Sequence, residues 1–204
     1  MLKGKCGFSL VELLIALLLG SLLLTMIISL YLFSVSAGAK SLKQSRLRTD
    51  LQSLIAVMEN DIRRAGYGGR DYLVGSGAVK TVDTIHGVSE NCIIYYYNQD
   101  HSESLIHSNK MAFRFDADNQ RIQFGRGVAP LAADCYNSGN GHWEAMTDNK
   151  FIKITKLVFT ESEVSSASAT LRSVFIELSG ELSADSQYKH FIKTKVQVRN
   201  LEYK

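Results

Sequence analysis

Charge is missing from one long stretch of this sequence. Between Leu13 and Ala39 there is no Asp, Glu, Lys or Arg, whereas charged residues are spread throughout from Lys40 onward. That asymmetry excludes one uniform globule, although the overall composition, 46% hydrophobic and 21% charged, looks globular. It fits a membrane segment joined to a soluble domain, and 204 residues suffice for one ordinary domain plus an appendage. Proline is missing from the same stretch, so nothing there breaks a helix.

Chemistry-bearing patterns are missing as well. The five histidines, His86, His101, His107, His142 and His190, have no metal-site partner at helical or knuckle spacing. Gly66-Tyr67-Gly68-Gly69 and Gly75-Ser76-Gly77 lack the Lys-Ser/Thr of a phosphate loop, and neither makes a nucleophile elbow. Asp116, Asp118 and Asn119 begin like a calcium loop, but the downstream Gly and Glu are not at the required offsets, so a hairpin turn is expected. Catalytic residues can lie far apart in sequence, so an enzyme is left without support and is not excluded. The expectation is no enzyme, no metal and no cofactor.

A bulk positive charge is missing from the C-terminal part. The formal net charge is +3, but Asp71–Lys204 holds 14 basic against 16 acidic residues. The excess sits in Lys3 and Lys5 and in Lys40–Arg70, where seven basic residues face three acidic ones. Nucleic-acid binding usually rests on a basic surface. No nucleic-acid partner is evident, and only a local patch stays open.

What is present begins with the run Leu13–Phe33, 21 residues without a charge. That is about the ~20 needed to cross a bilayer core. Its polar members, Gly20, Ser21, Thr25 and Ser29, are small, which suits close helix contact in lipid. A secretory signal peptide has a shorter apolar core followed by a small-residue cleavage site, and this order is wrong for one. A lipoprotein leader fails too, because Cys6 precedes the run. A plain membrane anchor fits the length but leaves Glu12 unexplained, a carboxylate at the start of the apolar run that needs a partner. A snorkelling interfacial carboxylate is the bland account of Glu12.

Lys5-Cys6-Gly7-Phe8-Ser9-Leu10-Val11-Glu12-Leu13-Leu14-Ile15-Ala16 resembles the processing site of type IV prepilins and type II secretion pseudopilins. The family pattern is a short basic leader ending in Gly, then Phe, then Glu four residues on, then an apolar helix. The resemblance implies cleavage by a prepilin peptidase between Gly7 and Phe8 on the cytoplasmic side. It implies N-methylation of the new N-terminal Phe8. It also implies pairing of Glu12 with the α-amino group of a neighbouring subunit's Phe8, where two opposite charges in low dielectric attract strongly. Basic residues near the membrane ends favour the opposite orientation, with Lys3 and Lys5 against Lys40, Lys43, Arg46 and Arg48. The processing motif, together with the cysteine pairing described below, is taken to overrule that count.

Leu47, Leu51, Leu54, Met58, Ile62 and Ala65 recur at three- and four-residue steps, and Ile55 widens the stripe. This predicts a helix packed on one face, continuing from about Ser9 to Ala65 and stopping at Gly66. Ile62-Arg63-Arg64-Ala65-Gly66-Tyr67-Gly68 also resembles the helix end of minor pilins of the PilW type and of J-type pseudopilins.

Beyond Arg70 the patterns favour strands at Cys92–Tyr97, Met111–Asp116, Arg121–Phe124, Phe151–Thr160, Ser173–Leu178 and Lys189–Arg199. Loops are expected at Gly75–Gly87, Ala132–Asn149 and Glu161–Ala169. Tyr95-Tyr96-Tyr97 is expected to alternate between buried and exposed. Given an exported head, Cys92 and Cys135 are expected to form a disulfide, with two free buried thiols as the alternative.

The expected fold is α+β and pilin-like: a long N-terminal helix packed on an antiparallel β-sheet head. The expected division is a leader (1–7), a transmembrane or filament-core helix (8–39), its amphipathic continuation (40–66) and a periplasmic head (67–204). The implied function is assembly, as a minor type IV pilus subunit in the inner membrane and then the pilus. Its implied partners are prepilin peptidase, major and minor pilins, and the inner-membrane assembly platform. A minor pseudopilin of type II secretion, a single-pass anchored binding protein and an anchored periplasmic enzyme remain as rivals.

Overall fold

The computed structural model describes residues 9–87, 91–137 and 139–203. One helix, α1 (Leu10–Ile62), runs through the apolar stretch and on into the amphipathic one. The chain divides into two compact units, one ending at Lys43 and one beginning at Gln44.

In the first unit several hydroxyls of α1 donate to carbonyls of the helix itself. Ser21 Oγ donates to Leu18 O at 2.9 Å, Thr25 Oγ1 to Leu22 O at 2.8 Å and Ser29 Oγ to Thr25 O at 2.8 Å. Each bond lies within the helix, which is how hydroxyls are tolerated where no water is available.

In the second unit the helix buries Leu47, Leu51, Ile55, Met58 and Ile62, the stripe expected from the spacing. It packs against the inner faces of two antiparallel sheets. The first sheet has the order β1 (Val82–His86), β2 (Asn91–Tyr96), β3 (Lys110–Asp116), β4 (Arg121–Arg126), β5 (His142–Ala145). The second pairs β6 (Ile152–Ser165), β7 (Ala169–Leu182) and β8 (Asp185–Gln197), and β9 (Glu202–Tyr203) also pairs with β7. Ile93, Tyr95 and Phe113 from the first sheet join Leu157, Phe159, Ile176 and Val196 from the second in one core with the helix. A bulge at Thr155, between the pairs Ile154↔Gly180 and Lys156↔Ser179, keeps both Ile154 and Leu157 facing inward. Gly180 gives the helix room: a Cβ there would lie 3.0 Å from Leu51 Cδ2.

The helix ends at Ile62, four residues before Gly66, because its last hydrogen bonds tighten and then leave. Arg64 N and Ala65 N donate three residues back, to Asp61 O and Ile62 O. Gly66 N donates to Tyr96 O at 2.8 Å, and Asn200 Nδ2 caps Ala65 O at 2.8 Å. Gly66 has φ of 76° and sits against Thr81, so only glycine fits without strain.

The strand β2 is buried along its whole length, and this corrects the alternation expected of the three tyrosines. Tyr95 and Tyr97 face the helix, and their hydroxyls donate to Asp61 at 3.2 and 3.4 Å. Tyr96 faces the other way, into a second cluster formed by Tyr72, Val74, Val128, Ala132 and Cys135. Its hydroxyl donates to Val128 O. Loops cover that face, so no side of β2 meets water.

Three expected loops hold strands. Gly75–Gly87 contains β1, an edge strand whose polar sequence VDTIH shows no clear alternation. Ala132–Asn149 contains the 3₁₀ turn Ala132–Asp134 and the short β5, where Trp143 lies across Gly125. Glu161–Ala169 is mostly ladder: β6 and β7 stay paired to Ser165↔Thr170. Its Ser- and Glu-rich composition hides a strand held by the cross-strand pair Glu163↔Arg172. The two-residue strand β9 was not expected at all.

Arg172 closes the polar end of the core. Its side chain is 7% exposed, and it meets Glu202 at 2.9 Å, Glu161 at 2.8 Å and Glu163 at 3.0 Å. Glu202 in turn accepts from Thr81 N at 2.6 Å, and Glu161 from Thr84 N at 2.8 Å. The cluster therefore ties the β1 edge of one sheet to β6, β7 and β9 of the other. Burial pushes the Glu202 carboxyl up, but hydrogen bonds from Arg172 and Thr81 outweigh it and hold it below the usual carboxylate range.

Two outcomes follow for equilibrium unfolding of the full chain in detergent. Leu51→Ala is expected to destabilise the head by about 2–5 kcal/mol, the usual range for a buried leucine. A depressed Glu202 pKa gives stability that is full above the ordinary carboxylate value and is lost as pH falls through the folded value. Wild-type stability should therefore drop on acidification, and Glu202→Gln should flatten that part of the profile.

A candidate assembly site on the N-terminal helix

Nineteen large apolar side chains from Leu10 to Val35 are exposed on α1. Every residue from Ser9 to Arg46 is exposed. Burying one such side chain gains ~1.5–3 kcal/mol, so this surface in water forgoes tens of kcal/mol. The helix is long and apolar enough to cross a membrane. Its surface calls for lipid or for other apolar helices.

Glu12 stands in the first turn of α1, where the exposed amide dipoles favour a carboxylate. That helps it only modestly in an apolar surround. The first Lys or Arg after it on the helix is Lys40. At 1.5 Å per residue the two are ~42 Å apart. No cation on its own helix can therefore neutralise Glu12. Gly7 and Phe8, the expected cleavage and methylation positions, lie outside the described residues.

Cys92 and Cys135 are joined by a disulfide, with Cα atoms 6.5 Å apart. Cys92 is on β2 and Cys135 follows the 3₁₀ turn, so the bond staples the covering loops to the second strand of the first sheet. Arg114 reinforces the same place: Nη1 donates to Cys135 O at 2.7 Å, and the guanidinium lies 3.9 Å from the Trp143 ring centroid.

Among the described residues no group of three or more His, Cys, Asp or Glu is placed to hold a metal ion. Asp116 accepts from Asn119 N at 3.2 Å and pairs with Arg121 at 2.8 Å, so the acidic motif is a hairpin turn between β3 and β4. A concavity of about 480 Å³ beside it is lined by Arg114, Asp116, Asp118, Arg121, Gln123 and Tyr136. Arg121 is paired with Asp116 there, and Arg114 Nε is hydrogen-bonded to Gln123. The Arg172 cluster had no sequence signal, because its members are scattered from Glu161 to Glu202.

A family model described as prepilin peptidase-dependent protein B matches residues 40–198. A second, described as the prokaryotic N-terminal methylation motif, matches residues 2–28. No curated protein and no solved structure matches the chain.

The disulfide closes a long loop, its ends 43 positions apart in sequence. A loop of that size constrains the unfolded chain by roughly 4 kcal/mol. Replacing both cysteines by serine should lower the denaturation midpoint correspondingly, and added reductant should then have no further effect on that variant.

Proposed function

The chain belongs to the prepilin peptidase-dependent protein B family, and from that membership we propose that it is a minor structural subunit of a type IV pilus. The family and the methylation motif make it a pilin-like or pseudopilin subunit whose processing depends on prepilin peptidase. The finer reading assigns each segment a task. Residues 1–7 are the leader, removed between Gly7 and Phe8, and Phe8 is then N-methylated. Residues 8–39 hold the subunit in the inner membrane and later enter the filament core. Residues 40–66 continue the helix into the head, and 67–204 form that head in the periplasm. The inner-membrane assembly platform and other major and minor pilins are its partners, and its role is to take part in priming filament growth.

The observation that carries this reading is Glu12. It stands in the first turn of α1, whose surface is exposed as far as Arg46, and the helix carries no Lys or Arg before Lys40. A carboxylate left alone in an apolar bundle is heavily penalised, whereas one paired with an amine is stabilised. Cleavage after Gly7 creates an α-amine four residues from the carboxylate on every subunit. Between neighbours, one amine and one carboxylate then fix the axial register of two helices. The disulfide supports export of the head, because such bonds persist in oxidising compartments.

Mass spectrometry of the mature N-terminus in cells with and without active prepilin peptidase tests the reading. A peptide beginning at N-methylated Phe8, present only with the active peptidase, is expected. An intact Met1 in both strains would return the chain to a plain membrane anchor.

A further inference from the structure

The outer face of the second sheet is organised differently from the rest of the head. Register and alternation put Lys153 and Lys156 of β6 on it, and Lys189, Lys193 and Lys195 of β8. Glu177 and Glu181 of β7 run between these two columns. Lys156 and Lys193 clamp Glu177 from both sides at 2.6 and 2.8 Å, and those two hydrogen bonds hold its carboxyl down to about 2. Lys189 reaches Glu181 at 3.3 Å. Five lysines against two glutamates leave the face positive within a head that is slightly acidic overall.

Lysines alone on such a face have an ordinary explanation. They blunt the edge strand β8 against pairing with other chains. That does not explain the aromatic side chain among them. Phe191 is 51% exposed on the same face, paired across the ladder with Ser179. Phe175 of β7 is on the same face further along the ladder, opposite Lys195, whose Nζ is 5.2 Å from its ring centroid. An exposed aromatic ringed by cations on a flat sheet is the composition of a contact surface, with an apolar anchor and a charged rim.

We infer that this face is the docking surface for an acidic patch on the head of a neighbouring pilin-like subunit. The inference rests on the proposed function, which makes such subunits the chain's neighbours. A nucleic acid fits the face less well. Its uniformly negative backbone would cross the Glu177 and Glu181 column, whereas a protein surface can place neutral or basic groups there and carboxylates against the lysines. The free charges for such a partner are Lys153 and Lys195, which make no ion pair among the described residues. Phe191 supplies the apolar centre.

The test uses the full chain in filament-producing cells, with a photo-reactive phenylalanine analogue at position 191 and, as a control, at Leu131 on the first-sheet side. Irradiation should give adducts between position 191 and other pilin-family subunits, identified by mass spectrometry, and fewer from position 131. Changing Lys189, Lys193 and Lys195 to Glu should cut the adduct yield at least about tenfold, since like charges across an interface are strongly disfavoured. The corresponding Gln variants, which keep chain length and drop the charge, guard against misfolding and should reduce it by less. Adducts only with nucleic acid or lipid, or a yield unchanged by charge reversal, would overturn the inference. The N-terminus is read on the same samples: a processed Phe8 without pilin adducts sinks the docking surface alone, while an unprocessed chain sinks the proposed function beneath it.

Discussion

An apolar helix surface that its own chain leaves uncovered is the constraint on which the rest depends. From Ser9 to Arg46 nothing on α1 is buried, yet the helix bears the side chains that gain most from leaving water. Such a surface demands two things in sequence. It needs lipid while the subunit is single, and it tolerates other helices of the same kind in place of lipid. On the function proposed here, Glu12 separates a transient anchor from a permanent one. An anchor gains nothing from a carboxylate at the start of its apolar run, whereas a helix that must find its neighbour at one axial offset gains a register mark.

The head answers the other half of the same helix. Leu47, Leu51, Ile55, Met58 and Ile62 enter a core shared by two sheets, so the helix cannot be withdrawn without opening both. Polar contacts then fix how the helix leaves: Asp61 holds Tyr95 and Tyr97, Thr194 donates to Glu59 at 2.5 Å, and Asn200 caps the final carbonyls. The Arg172 cluster joins the sheets at one end, and the disulfide holds the loop layer over the first sheet. Each device secures a boundary between elements.

Much of this was legible because it obeys a simple period. The stripe from Leu47 to Ile62 has helical spacing, and β8 alternates as written, with His190, Ile192, Thr194 and Val196 turned inward and the lysines outward. The N-terminal methylation motif was legible because its residues are contiguous. What was hidden depends on partners distant in sequence. The continuous burial of β2 comes from loops that cover its second face, and nothing in Tyr95-Tyr96-Tyr97 announces them. The outer half of the β6–β7 hairpin reads as loop because Glu161 and Glu163 look like solvated carboxylates until Arg172 is placed opposite them. The edge strands β1, β5 and β9 are short or polar and take their order from a neighbour.

The account turns on Glu12 serving assembly and not membrane retention. The direct measurement is the distribution of wild-type protein and of Glu12→Gln between the inner membrane and filaments sheared from the cell surface. The account predicts that both proteins reach the membrane in equal amount and that only the wild type is recovered in the filaments. Equal recovery of Glu12→Gln in sheared filaments would contradict it.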